Sequence, residues 1–277
     1  MDRYAELGCA AAAAALAGAP DIRPGRGDGT WGVILGSSLG CWASNREYLF
    51  DLEHRRPAML SPALFVRTVA SSAIGEICIA HGIGGVNETV VSGWPAGAEA
   101  VAEACALLAE RRVRFVLAGG IESPDEVLRR QHRDRRRSED LEWLPELLEE
   151  AAALCLLTTA EEENPTGRLR IVAYGRGHDP RGEWSLSTAL QRLEWPTIES
   201  VIVTDPVPPQ ILGRWQEEAG GRRLLRFAGG SRAFGAAGAP LALACAGRWL
   251  DESSPDGGIL LVARGIEGGI AALVVSS

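Results

Sequence analysis

His81-Gly82-Ile83-Gly84-Gly85-Val86, Thr89-Val90-Val91, Ser92-Gly93-Trp94-Pro95-Ala96-Gly97 and, past an alanine-rich run, Phe115-Val116-Leu117-Ala118-Gly119-Gly120-Ile121-Glu122-Ser123 form the segment that decides the fold. Thr89 to Val91 reads as a short strand. Residues 96–111 are apolar nearly all round, so they predict a helix placed inside the protein rather than on its surface. Arg114 to Ala118 predicts a strand leading into the Gly119-Gly120 pair. A strand, a buried helix and a second strand in that order describe a layered α/β core.

Outward from this segment, the N-terminal side predicts an alanine-rich helix over 2–18 and a Gly/Pro/Asp loop over 19–30. Trp31 to Leu35 predicts a buried strand that ends in Gly36-Ser37-Ser38-Leu39-Gly40. Ser61-Pro62 opens a segment that is helical from about 70 to 81 and stops at Gly82. On the C-terminal side, 123–149 is highly charged and expected to be exposed. Strands are predicted at 151–158, 168–174, 200–204, 223–227, 258–263 and 269–275, and helices near 185–193, 207–219 and 235–249. Strands alternating with helices imply a mixed or parallel sheet covered on both faces. A strand followed by a Gly/Ala-rich loop and a buried helix occurs twice, near Ala96 and near Gly235. This implies a duplication, with halves at 1–150 and 151–277 packed as one compact unit.

Composition narrows the function. The 277 residues carry a net charge of -8, which argues against a nucleic-acid partner. The six cysteines, Cys9, Cys41, Cys78, Cys105, Cys155 and Cys245, are scattered, with no CxxC pair and no Cys/His cluster. They read as buried free thiols in a reducing compartment, with no metal. The apolar run at 8–19 is too short and too weakly hydrophobic to span a membrane, and Asp2, Arg3 and Glu6 precede it, unlike a signal peptide. A cytoplasmic location is the expectation. Gly229-Gly230-Ser231 and Gly36-Ser37-Ser38 lack a phosphate-loop lysine and do not fit GxGxxG, so they read as tight turns and no cofactor is expected. His81 reads as a helix-end residue and His178 as part of a surface loop. The run from Arg129 to Arg137 stands out in an acidic chain, either as a solvated face or as a docking patch for an acidic partner.

The ordered set of blocks resembles the β-ketoacyl synthases. His81–Ser123 is similar to the family's strand, cysteine elbow, buried helix and "AGGxES" strand end. Trp31–Gly40, Ser61–Phe65, Glu150–Leu156, Phe234–Gly238 and Arg264–Val275 resemble further family blocks in the same order. The resemblance implies an α/β thiolase-like fold, a duplicated αβαβα five-layer core, here shortened, because the family's first strand precedes the helix that starts this chain. It also implies a dimer, with the strand at Glu88, Thr89, Val90 and Val91 paired across the interface.

Ketosynthases hold an acyl chain on a cysteine at the head of the first buried helix. There the helix end lowers the thiol pKa and supplies an oxyanion hole. Two histidines assist decarboxylation of the malonyl donor. By the resemblance, the nucleophile position is Trp94, the first histidine position is Thr204 and the second is Arg232. Phe227 stands near the place of a lysine, and Ile266 stands where a gating phenylalanine is common. No catalytic residue is therefore expected. Trp94, Phe234 and Ile266 would line the pocket or tunnel, and Arg129, Arg130, Arg133, Arg135, Arg136 and Arg137 would meet an acyl carrier protein. The leading expectation is a chain-length-factor-like subunit, a partner of an active ketosynthase in type II polyketide, polyene or fatty-acid-like biosynthesis. The alternatives are a malonyl decarboxylase or acyltransferase using Ser92, Thr204, Asp205 or Arg232, and a homodimeric scaffold without enzymatic activity.

Overall fold

The structure is a computed structural model. It describes residues 1–276 apart from 56–58, 139–140, 142, 161–168, 188–197, 205, 228–231 and 254–257. The helix expected at 185–193 lies mostly outside the described residues, as do Asp205 and Gly229-Gly230-Ser231.

The first sheet is built from β1 (Trp31–Gly36), β2 (Asn87–Val90), β3 (Phe115–Glu122) and β5 (Ala151–Thr158), in the order β2-β1-β3-β5. Both β2 and β3 run parallel to β1, and β5 runs antiparallel to β3. The second sheet contains β6 (Arg170–His178), β7 (Ile198–Thr204), β8 (Arg223–Phe227), β10 (Gly258–Arg264) and β11 (Gly269–Ser276), in the order β6-β11-β10-β7-β8. Here β8 and β10 run parallel to β7, β11 antiparallel to β10, and β6 antiparallel to β11. The three pairings β2-β1, β1-β3 and β3-β5 recur with the same senses as β8-β7, β7-β10 and β10-β11, so the duplication inferred from two segments extends to four strands of each sheet. A small parallel ladder of β4 (Leu147–Leu148) and β9 (Arg232–Ala233) ties the halves together.

Five layers follow from which side chains meet. The central core joins Ile34, Val116 and Ala118 of the first sheet to Ile202, Ile259, Leu261 and Ala263 of the second, with two helices between. These are α5 (Ala96–Ala109) and α8 (Gly238–Ser253). Ten of the fourteen residues of α5 are buried, five of them alanines, because small side chains let a helix lie between two sheets. On the outer face of the first sheet, Trp31, Val33 and Leu35 pack with α1 (Arg3–Ala17) and α4 (Ser72–His81). On the outer face of the second, Leu260 and Val262 pack with Trp215 of α7 (Pro209–Glu218). Strand neighbours alternate between the inner and outer cores, so a strand buried on both faces reads as one continuous apolar run.

Four expectations are corrected. The half boundary at 150 falls too early, since β5 at Ala151–Thr158 hydrogen-bonds to β3 and belongs to the first sheet. The charged stretch 123–149 is not simply exposed. It forms α6 (Glu126–Ser138) and then buries Leu144 and Leu148. His178 ends β6 instead of lying in a loop. Among the thiols only Cys41 is buried and Cys245 is exposed, beside Ala244 on a solvent-facing part of α8. Two helices were not foreseen, α2 (Trp42–His54) and α3 (Pro62–Val66).

Candidate functional site at the head of the buried helix

The chain enters α5 through an elbow, Val91 to Pro95, in which Gly93 takes φ 78°, a left-handed conformation that favours glycine. Pro95 is the N-cap, and no side chain caps the helix. The Ala96 N–H donates to the Gly93 carbonyl at 3.1 Å. Around this head, backbones approach too closely for side chains. A methyl on Gly36 would stand 2.2 Å from the Ala96 carbonyl group. A methyl on Gly97 would stand 1.9 Å, and one on Gly120 2.1 Å, from the Ala236 carbonyl oxygen. The single turn Gly235–Ala237 that leads into α8 therefore abuts the head of α5, which is why the Gly/Ala blocks recur in both halves.

Glu122 sits beneath this junction and is fully buried. One carboxylate oxygen accepts the Ser38 backbone N–H and, at 3.2 Å, the Ser37 hydroxyl. Among the described residues the other oxygen has no hydrogen-bond partner. Burial raises the carboxyl pKa above its ordinary value, against the lowering effect of the Ser38 and Ser37 hydrogen bonds. A methyl on Gly235 would meet the Glu122 Cγ at 2.4 Å, so the carboxyl braces the entry to α8. The sequence reading gave Glu122 no role. The available signal was a lone carboxylate at the end of an otherwise apolar strand.

The elbow is closed from the other side by the β10–β11 turn. Methyls on Gly265 and Gly269 would stand 3.0 and 3.1 Å from the Pro95 ring. Ile266, half-buried, lies in this turn. Trp94 is half-buried, and its ring faces that of His132 on α6 with centroids 6.4 Å apart. His132 Nε2–H donates to the Pro145 carbonyl at 2.7 Å in one tautomer. Thr204 is buried at the end of β7, and Phe234 lies 6.3 Å from Phe227 between ring centroids. Arg232 is exposed and turns to Glu149, Nε to Oε1 3.6 Å, beside the β4–β9 ladder. Ser92 is exposed, and no hydrogen bond joins any two of Ser92, Thr204 and Arg232 among the described residues.

The arginine run divides on α6. Arg129 Nε donates to the Leu148 carbonyl at 3.1 Å, and Arg136 Nε to the Leu144 carbonyl at 2.8 Å, so these two hold the following loop. Arg133 pairs with Glu126 at 2.8 Å and Arg130 with Asp134 at 3.8 Å. Arg130, Arg135 and Arg137 are exposed. Glu88 to Val90 form most of β2, at the edge of the first sheet, and Val91 is exposed just beyond it. Elsewhere on the surface, Leu49, Phe50 and Leu52 of α2 and Phe65 and Val66 of α3 are exposed. Among the described residues no helix is long and apolar enough to cross a membrane, and no three His, Cys, Asp or Glu side chains cluster as metal ligands.

This architecture is that of the thiolase-like ketosynthases. Residues 1–135 match the model of the beta-ketoacyl synthase N-terminal domain. A 3-oxoacyl-[acyl-carrier-protein] synthase 2 from Rhizobium meliloti (strain 1021) is 31% identical over 93 residues, which cover 34% of this chain and 22% of that protein. The matched stretch thus spans about a fifth of the length of that curated relative. The ishigamide ketosynthase/chain length factor superposes with a TM-score of 0.80 at 22% identity, covering 99% of this chain and 80% of its own. A type II PKS acyl-carrier protein in complex with its ketosynthase bound to the hexaketide gives 0.83 at 14% identity, covering 100% and 84%. A beta-ketoacyl synthase from Burkholderia phymatum STM815 gives 0.80 at 15%, covering 100% and 82%. The chain shares the fold of these ketosynthase structures, is shorter than they are, and matches the beta-ketoacyl synthase N-terminal model over its first 135 residues.

Proposed function

We propose that this chain is a non-catalytic ketosynthase-like subunit. It acts as a chain-length-factor-like partner of an active β-ketoacyl-carrier-protein synthase in type II polyketide, polyene or fatty-acid-like biosynthesis. One observation carries the reading: the elbow at the head of α5 presents Trp94 and Pro95, and neither can form a thioester. Among the described residues no hydrogen bond joins Ser92 to a base that would activate it as a nucleophile. Thr204 cannot supply imidazole chemistry, and Arg232 is engaged with Glu149 outside the elbow.

The second support is the surface. The β2 edge, Glu88 to Val91, and the apolar side chains Leu49, Phe50, Phe65 and Val66 offer the kind of face that an obligate partner covers. We assign the pairing interface there. Trp94, Phe234 and Ile266 border the tunnel shared by the pair, and Arg130, Arg135 and Arg137 form the outward part of a carrier-protein docking patch. Arg129, Arg133 and Arg136 support that patch from within α6.

The test is reconstitution with a ketosynthase that retains its Cys-His-His set. The chain alone, incubated with acyl- and malonyl-carrier protein, gains no acyl mass and releases no carbon dioxide, while the pair elongates. Trp94→Ala changes product length in the pair. Covalent acylation of the isolated chain at the elbow, followed by elongation, would refute the proposal. Decarboxylation by the isolated chain would favour an enzymatic role, and a stable homodimer that ignores the ketosynthase would favour a scaffold.

A further inference from the structure

We propose that Arg264 is a lock on the elbow: its buried guanidinium fastens the Asp179–Trp184 loop to the β10–β11 turn, so that loop and turn move as one piece against Pro95. This inference does not rest on the function proposed above. It concerns how one wall of the site is held, and it stands whether the chain is a partner subunit or an enzyme.

Arg264 is the last residue of β10 and is only 4% exposed. It stands one step beyond the Ala263–Thr204 pair that joins β10 to β7. A buried arginine is ordinarily paired with a carboxylate, because a buried charge without a partner is costly. Among the described residues Arg264 has no ion pair, and its Nε is buried without a hydrogen-bond partner. Burial lowers its pKa, Asp179 raises it and Arg214 lowers it. The Asp179 carboxylate, however, is spent on its own loop, where it accepts the Glu183 and Trp184 N–H groups at 2.8 and 3.0 Å. The guanidinium goes instead to two backbone carbonyls in different segments. Nη1–H donates to Gly265 at 3.1 Å and Nη2–H to Asp179 at 3.2 Å. A planar fork suits two separate acceptors, as the point charge of a lysine does not.

The turn is closed on itself by Gly265 N–H to the Gly269 carbonyl at 2.7 Å and Gly268 N–H to the Gly265 carbonyl at 3.2 Å, and it is this turn that stands against the Pro95 ring. The β6–β11 ladder ends at His178 and Gly269. Just beyond it, Asp179 N–H donates to the Gly268 carbonyl at 2.6 Å. Gly268 takes φ 93°, and a methyl there would stand 2.6 Å from the Asp179 carbonyl group. The far end of the loop is anchored to α7. Arg214 Nη2–H donates to the Trp184 carbonyl at 2.7 Å, and the Trp184 ring meets Trp215 edge-on with centroids 5.2 Å apart. A methyl on Gly182 would stand 2.8 Å from Ile211 of α7 and 3.9 Å from the Arg264 Nη2, so the middle of the loop lies over both. The loop is thus held by two arginines that reach its carbonyls, and of these Arg264 also holds the turn. Remove its fork, and the loop stays with α7 while the turn is left to the Asp179–Gly268 contact.

Amide hydrogen exchange on the purified chain tests this, with the parent compared to Arg264→Met and Arg264→Lys. Methionine fills much of the same space and buries no charge. In Arg264→Met the amides of 179–184 and of 265–269 should exchange faster together, by about tenfold or more, and those of the elbow at 93–96 should follow, while the amides within β10 and β11 stay protected. Arg264→Lys keeps the charge without the fork and should resemble Arg264→Met. Unchanged exchange in Arg264→Met would overturn the proposal. So would a loop that quickens while turn and elbow do not, or a lysine variant that behaves as the parent does. Should circular dichroism show Arg264→Met unfolded, Asp179→Ala gives the reading from the other side. It takes the acceptor from the Glu183 and Trp184 N–H groups and loosens the loop from within. With the lock in place the turn at 265–269 must quicken along with the loop, and a turn that stays protected would overturn the proposal.

Discussion

Replacing Gly97 by alanine sets two physical effects against each other with opposite signs. Gly97 lies in the first turn of α5, where alanine is intrinsically favoured by about 1 kcal/mol. If local propensity governed, Gly97→Ala would raise stability. The new methyl, however, would stand 1.9 Å from the carbonyl oxygen of Ala236 and 3.0 Å from the Pro240 ring. Carbon and carbonyl oxygen normally approach to about 3.3–3.6 Å, so the two buried helices would have to separate by roughly 1.4 Å at their heads. The obstacle is backbone, which cannot rotate away as a side chain can. Overpacking of this kind costs about 1–3 kcal/mol, and with a rigid opponent the upper end applies. At about 2–4 °C per kcal/mol for a chain of this size, Tm should fall by about 6–12 °C. Gly213→Ala on α7 is the control: nothing lies within 4 Å of its Cβ position, so it should be neutral or raise Tm slightly. Thermal unfolding followed by circular dichroism reads both. A Gly97→Ala protein as stable as the parent would refute the backbone-to-backbone packing that defines the site.

Glu122 predicts a pH dependence. Its folded-state pKa is raised by burial, so its contribution to stability is full below the ordinary glutamate range and is lost as pH rises through the folded value. Glu122→Gln keeps an acceptor for Ser38 and Ser37 but removes the titration. The difference in Tm between parent and variant should therefore shift in favour of the variant as pH rises from 4 toward 8, and a constant difference refutes the assignment. On α6, Arg136→Ala leaves the Leu144 carbonyl without its donor and should cost about 1–3 kcal/mol in urea unfolding. The exposed Arg137→Ala should change stability by less than about 0.5 kcal/mol, and equal effects would refute the division of the arginine run. Phe50→Lys should leave the isolated chain as stable as before, because the side chain is exposed, and should weaken pairing with the ketosynthase at least about tenfold by size-exclusion or calorimetric titration. Unchanged pairing would move the interface elsewhere.

Much of the fold was legible because its signals are local. Trp31–Gly36 is a continuous apolar run, as a parallel strand buried on both faces must be, and α5 is alanine-rich all round, as a helix between two sheets must be. Helix α2 was not legible. Its apolar residues Leu49, Phe50 and Leu52 point to solvent in this chain, so they mark no amphipathic face turned toward its own core. The half boundary was misplaced for a similar reason: a strand's own residues do not say which sheet will claim it, and β5 is assigned by hydrogen bonds to β3, far back in the sequence.

The candidate site divides in the same way. Residue identity alone established that no thiol stands at Trp94 and no imidazole at Thr204 or Arg232, because chemistry belongs to the side chain wherever it lies. Tertiary structure decided the rest. It turned Arg232 outward to Glu149, drew Glu122 into a fully buried seat, and brought Gly97, Gly120 and Ala236 into backbone contact. Burial and pairing are properties of segments far apart in the chain, so they exist only once both halves have closed on the same two helices.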